Sequence, residues 1–331
     1  MKLEKQFDEI IQLIYSARKK AILSVNRELI ELYWNIGNYI SDKAKHSEWG
    51  KSVVNNLSDY IYSKFPDIKG FLSQNLWRMK QFYETYRKNE KLSALLRELS
   101  WTYNLIIFSK ATTGEEREFY IKLAIRERYS SRELERQIDS GIFERVMLSD
   151  KNLSAVMREI HPQSVDAFKD NYILDFLALP KSQSEKDLRK RIVIHLKEFI
   201  LEFGKDFSFM GEEFRVSVGS KDFYVDLLFY HRDLQCLVAI DLKITDFKPD
   251  YLGKMEFYLE ALDRDVKKEH EKPSVGIILC KNKDSQIVEY ALSRTVSPAM
   301  IAKYETELID KKTLENKLNE FFLMAENEDY K

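Results

Sequence analysis

Cysteine, proline and glycine are all scarce in this chain, at two, six and ten residues among 331. Two cysteines cannot build a disulfide framework. Cys236 and Cys280 both lie inside apolar runs, where they read as small buried hydrophobes of a reducing compartment. So little proline and glycine excludes collagen-like and low-complexity compositions. Neither sign of charge prevails, because 53 Lys and Arg face 54 Asp and Glu for a formal net charge of −1. Bulk attraction to a polyanion is therefore excluded, and any basic surface has to be local. A run of about 18 uncharged apolar residues is also missing, and the start, Met1-Lys-Leu-Glu-Lys-Gln-Phe-Asp, lacks an apolar signal core. Neither membrane insertion nor secretion is expected, and the expected location is the cytoplasm. His195 and His231 lack ligand spacing, and there is no zinc pattern, P-loop or nucleotide-binding glycine fingerprint.

What the chain does have is 44% hydrophobic and 32% charged residues, enough apolar surface for about two domains at roughly 150 residues each. From Leu3 to Ile36 apolar residues recur at spacings of three, four or seven, which predicts one long or kinked helix, loosened at Gly37 and over 41–50. A second helix is expected to stop at Phe65-Pro66. Ser73 reads as the N-cap of a helix whose face carries Leu76, Met79, Phe82, Tyr83 and Tyr86; at helical spacing this aromatic stripe is core rather than a stacking platform for bases. Thr113 caps another helix with acids in its first turn. The helix at 131–138 follows a short turn compatible with a helix-turn-helix or winged-helix module, although its alternating Arg and Glu also describe a solvated, self-paired face. The Pro- and Ser-rich breaks at 161–164 and 179–185 place the domain boundary between a helical domain, 1–164, and a second domain, 165–331, with the apolar peptide 172–179 docked on the latter.

Past that boundary the texture changes. A helix over 185–203 precedes strands at 213–218, 223–230 and 236–243, joined by hairpin-length connections. A helix from Pro249 to Leu262 and a fully buried strand at 274–280 follow, and an amphipathic helix ends the chain. The order is αβββαβ, a mixed α/β domain with a sheet flanked by helices.

Within this domain three ionisable residues interrupt apolar strands. Alternation along Ala239-Ile-Asp-Leu-Lys243 points Asp241 and Lys243 the same way, with Ile240 and Leu242 opposite. Asp226 sits in the adjoining strand, and a hairpin through 231–235 would bring it to Asp241 at one end of the sheet. Two carboxylates held together repel unless a cation neutralises them. Mg²⁺ suits a few carboxylate oxygens plus water and phosphate, and Lys243 beside it would orient a water or offset negative charge. The same triad also fits a buried ion-pair cluster without catalysis.

The residues at Asp226 and Asp241-Leu-Lys243, in this strand order, resemble the metal-dependent PD-(D/E)XK nucleases. More specifically, the stretches 170–180, 223–232, 247–259 and 276–280 resemble the bacterial YhcG-type family, and 72–83, 117–120 and 131–138 resemble its N-terminal domain. The resemblance implies a restriction-endonuclease-like fold that hydrolyses phosphodiester bonds with Mg²⁺, or Mn²⁺ in its place, behind an all-α, winged-helix-like domain that handles DNA or protein partners. Asp226 and Asp241 match the metal ligands, Lys243 the catalytic lysine, and Lys254 a cation supplied by the following helix. The family places Glu where Asp241 stands and Arg-Gln where Glu212-Glu213 stands. The superfamily's acid on the first helix aligns with basic Arg189, so Glu198, or else Glu202, is the candidate for that role. A homodimer is expected, because duplex cleavage needs two sites or one site used twice. The competing expectation is a catalytically weak or inactive DNA-binding or assembly module on the same fold.

Overall fold

A computed structural model describes residues 2–45, 51–149, 152–179 and 184–328, and the chain divides between Ile138 and Asp139 into two units. The first unit comprises α1 (Lys2–Lys45), α2 (Lys51–Lys64), α3 (Ser73–Tyr86), α4 (Glu90–Leu96), α5 (Trp101–Lys110), α6 (Gly114–Glu127) and the body of α7 (Ser131–Asp139). No strand occurs among its described residues, so the all-α expectation is met without a β-wing. Leu76, Met79, Phe82 and Tyr86 of α3 are buried, and Phe82 packs edge-on to Trp34 and Trp101 at 6.0 and 5.2 Å between ring centroids. The stripe is core, and its rings are already in contact with one another. Ser73 is the first helical residue and Leu72 stands at the cap without a side-chain hydrogen bond, whereas Thr113 Oγ1 does accept the Glu116 N–H, at 3.1 Å. Gly37 does not loosen α1, which is continuous as far as Lys45. A Cβ at Gly37 would lie 2.1 Å from the Met79 carbonyl oxygen, so the missing side chain lets α1 approach α3 closely. On α7, Arg136 pairs with Glu133 within the helix, while Glu135 pairs with Lys110 of α5, each at 3.2 Å.

The second unit is ordered α8 (Ile142–Met147), α9 (Ala155–Ile160), α10 (Ser164–Ala167), β1 (Asn171–Ile173), α11 (Glu185–Ile194), α12 (Leu196–Phe203), β2 (Phe207–Val218), β3 (Lys221–His231), β4 (Cys236–Leu242), α13 (Asp250–Asp265), β5 (Val275–Cys280), α14 (Ser285–Leu292), β6 (Ala299–Glu305) and α15 (Lys311–Glu328). Its six strands form one sheet in the order β1-β6-β5-β4-β3-β2. β2, β3 and β4 are antiparallel neighbours, while β4, β5, β6 and β1 run parallel. Every residue of β4 and β5 is buried, as expected of strands covered on both faces. Leu188 and Ile192 of α11 and Phe199 and Phe203 of α12 pack on Phe229, Ile240 and Leu242. Met255 and Leu259 of α13 pack with Ala239 and Ile278 in a separate cluster.

Three features differ from the sequence reading. The helix over 185–203 is broken at His195, whose ψ of 35° ends α11 and starts α12. The peptide after Asn171 does more than dock: it contributes β1, a parallel edge strand on β6. The described residues within 139–164, ahead of the expected boundary, pack with the sheet unit. Ser154 N–H donates to the Ala299 carbonyl at 2.9 Å, and Arg145 Nη1 donates to that of Asn171, also at 2.9 Å. Backbone groups of the sheet satisfy this segment's donors, which holds it to that unit. Residues 180–183, part of the second Pro- and Ser-rich break, lie outside the described residues. Among the described residues no helix is long and apolar enough to cross a membrane.

Candidate active site

Two strand ends create the site. β3 and β4 pair from His231↔Cys236 to Leu227↔Ile240, and one step further the same register sets Asp226 opposite Asp241. There the ladder changes character, and the Leu242 N–H donates to Asp226 Oδ2 at 2.9 Å. The chain continues past β4 with the Lys243 N–H donating to the Leu279 carbonyl at 2.9 Å. Strand alternation is thereby retained, and Lys243 Nζ returns to Asp241 Oδ2 at 2.6 Å. Lys254, one turn into α13, donates to Asp241 Oδ1 at 2.9 Å. The structure thus gathers Asp226, Asp241, Lys243 and Lys254 at one end of the sheet.

Asp241 is 1% exposed. Its Oδ2 is held by the Lys243 ammonium, which also donates to the Leu242 carbonyl at 3.1 Å. One lysine ammonium at each oxygen thus neutralises this buried carboxylate, as a buried charge requires. Burial raises the pKa of Asp226 above the usual carboxylate range; the Leu242 N–H works against that rise, and the Asp241 charge adds to it. For Lys254, burial opposes the charge, but the Asp241 carboxylate outweighs it and moves the pKa above the usual lysine value.

Glu198 is not among these groups: on α12, it has no hydrogen bond or ion pair with any of them. Glu202 is committed elsewhere. Its Oε1 accepts the Ile173 N–H at 3.0 Å and pairs with Arg145 and Lys169, each at 3.5 Å. Three residues that strand patterning does not reveal do reach the site. Glu185, in the first turn of α11, brings Oε2 to 3.8 Å from Lys243 Nζ. Arg189, one turn on, donates from Nη1 to Asp226 Oδ1 at 3.0 Å and from Nη2 to Glu213 Oε1 at 2.6 Å. Glu213, between the pairs Glu212↔Leu227 and Phe214↔Val225, stands opposite Asp226 in a left-handed conformation with φ 44°. The i, i+4 spacing of Glu185 and Arg189 is the one sequence signal that could have joined them to one face. Tyr258 is core, its hydroxyl donating to the Tyr224 carbonyl at 2.7 Å.

The donor set suits a hard divalent cation: two juxtaposed carboxylates, leaving the other positions to water and phosphate as Mg²⁺ prefers. Among the described residues no group of three or more His, Cys, Asp or Glu could form an all-protein cage.

Comparison with known proteins agrees along both units. Residues 165–319 match the YhcG PDDEXK nuclease domain, and residues 9–145 match the DUF1016 N-terminal domain. The Escherichia coli (strain K12) protein named "Putative nuclease YhcG" is 30% identical, over 94% of this chain and 92% of its own length. Two solved structures are more distant: a repair endonuclease from Pyrococcus abyssi (17% identity, 39% of this chain, TM-score 0.28) and an EndoMS–dsDNA complex (15%, 39%, 0.27). The chain spans about half the length of each, 50% and 48%. With matches across both units and nearly the full length of the Escherichia coli relative, the chain belongs to the YhcG-type family of PD-(D/E)XK nuclease-domain proteins.

Proposed function

We propose that this protein is a cytoplasmic, Mg²⁺-dependent nuclease that hydrolyses phosphodiester bonds in DNA, with Mn²⁺ able to replace Mg²⁺. The observation that carries this reading is the buried Asp241 carboxylate, opposite Asp226 and between two lysine amines at one end of the sheet. Asp226 and Asp241 are the residues that would hold the metal. When bound there, Mg²⁺ supplies Lewis acidity toward a phosphodiester and its attacking water. Lys243 keeps an ammonium against Asp241, where it orients a nucleophilic water and offsets negative charge building on the phosphate. Lys254 approaches the same carboxylate from α13 and, at 46% side-chain exposure, presents its charge to an incoming phosphate. Glu185, in place of Glu198, is the acid that α11 contributes, and it positions Lys243. The helical unit recruits DNA or a protein partner, and two copies of the chain serve the two strands of a duplex.

The test uses purified full-length protein with plasmid, linear and branched DNA in Mg²⁺ or Mn²⁺. Cleavage that Lys243→Ala abolishes supports the reading, and cleavage unchanged in that variant refutes it. One observation favours a second reading, a DNA-binding module without catalysis: the Arg189 guanidinium already neutralises Asp226. Calorimetry separates the two. Absence of Mg²⁺ and Mn²⁺ binding, with DNA binding that survives Asp241→Ala, selects the second.

A further inference from the structure

Arg189 is the cation that pairs with Asp226, at 3.0 Å. Its side chain is 10% exposed, and its Nε is buried without a hydrogen-bond partner. One arm of the guanidinium holds Asp226 Oδ1 and the other holds Glu213 Oε1. Because Leu242 N–H takes Asp226 Oδ2, no oxygen of Asp226 is left unpaired while Arg189 stays. Glu213 is unlike Asp226 in two respects: it is 58% exposed, and its backbone is left-handed, which a non-glycine residue adopts only where its surroundings hold it there.

We propose that Arg189 is the resident counter-ion of the metal site, and that a divalent cation binds by displacing the guanidinium from Asp226 onto Glu213. The inference rests on the metal reading above and adds a positioning pair to it. Removing a buried guanidinium from its only carboxylate would leave an uncompensated charge, which is expensive. A second carboxylate already bonded to the other arm removes that obstacle, so the exchange needs only one hydrogen bond to break while the second persists. Arg189 thereby lowers the affinity for the cation, and Glu213 limits how far it does so.

Titration of the full-length protein with Mn²⁺, followed by the electron paramagnetic resonance signal of the free ion, tests this without any cleavage readout. Arg189→Met should bind Mn²⁺ at least about tenfold more tightly than wild type, since a competing cation within contact distance is gone. Lys190→Met, which removes the same charge from the same helix, should change affinity less than about twofold. Glu213→Gln should weaken binding in the wild-type background and have no effect in the Arg189→Met background, a non-additivity that a general charge effect would not produce. Circular dichroism checks folding, and Arg189→Gln serves if the methionine variant unfolds. Arg189 variants that bind no more tightly than wild type, or a Glu213→Gln effect that persists without Arg189, overturn the proposal. Asp241→Asn in the same titration separates the two levels: unchanged Mn²⁺ binding there places the ion elsewhere and overturns the metal reading, and the displacement falls with it.

Discussion

Glu202 and Asp241 are both carboxylates buried in the sheet unit, and they are held in opposite ways. Glu202 receives a backbone N–H from Ile173 and the guanidinium of Arg145. That guanidinium is itself fixed by the Ser140 carbonyl and hydroxyl and by the Asn171 carbonyl. Asp241 receives no backbone donor: two lysine ammonium groups hold it, one at each oxygen. The first arrangement ties three segments together, a fastening between them. The second is neutralised by side-chain amines alone, and one of them, Lys254, is 46% exposed. Burial alone does not tell a structural ion pair from a reactive one; the identity of the donors does.

The comparison breaks first at the lysine. Lys243→Ala should reduce DNA cleavage in Mg²⁺ by about a hundredfold or more, the scale of losing a group that handles water or charge in the transition state. Retained cleavage would put Lys243 in the same class as Arg145. The reverse experiment is Glu202→Gln, which leaves the Arg145 guanidinium buried without its anion. A loss of about 3 kcal/mol in urea unfolding is expected, with cleavage per folded molecule unchanged. A stable Glu202→Gln protein with impaired cleavage would merge the two clusters.

Why one cluster was legible in the sequence and the other was not follows from range. Alternation by two placed Asp241 and Lys243 together, and a five-residue hairpin was enough to bring Asp226 across, because both are local constraints. The buried strand at 274–280 announced itself by continuous apolar residues. β1 and β6 did not: three residues and one short apolar run pair only with each other or with β5, and that parallel pairing is invisible until the fold is formed. Glu198 lies on a face of the first helix only if that helix runs unbroken over 185–203. The chain breaks at His195, and the acid near Lys243 is Glu185, in the first turn of α11. Glu213 reaches Arg189 from a left-handed residue within β2, which no propensity for Glu would suggest.

A pH test sharpens the structural side of the comparison. His161 is fully buried. Its Nε2 lies 2.9 Å from the Pro273 carbonyl, which can only accept, so Nε2 carries the proton, and Nδ1 is buried without a partner. Burial pushes its pKa below the ordinary value of 6.5, outweighing the carbonyl's pull. The unfolded chain therefore binds the extra proton more readily, so the stability His161 contributes is present above pH 6.5 and is lost as pH falls through its lowered folded value. Urea midpoints at pH 7.5 and 5.5 should fall further in wild type than in His161→Gln. An equal fall would show that this imidazole is not held neutral.

The smallest effect expected is the most discriminating. Asp241→Asn removes a buried charge, and if Asp241 were a fastening like Glu202 it would cost about as much. The surroundings argue otherwise. Lys254 is 46% exposed and can turn its amine to water, while Lys243 keeps the Leu242 carbonyl at 3.1 Å and Glu185 at 3.8 Å. Asp226, whose pKa the Asp241 charge helps to raise, is relieved of a like charge. Stability should therefore change by less than about 1 kcal/mol, as at reactive sites kept for function at the expense of stability. Urea unfolding of Asp241→Asn beside Glu202→Gln decides it. A cost for Asp241→Asn equal to that of Glu202→Gln would mean that both carboxylates are fastenings, and a near-zero cost with cleavage lost would mean that only Glu202 is.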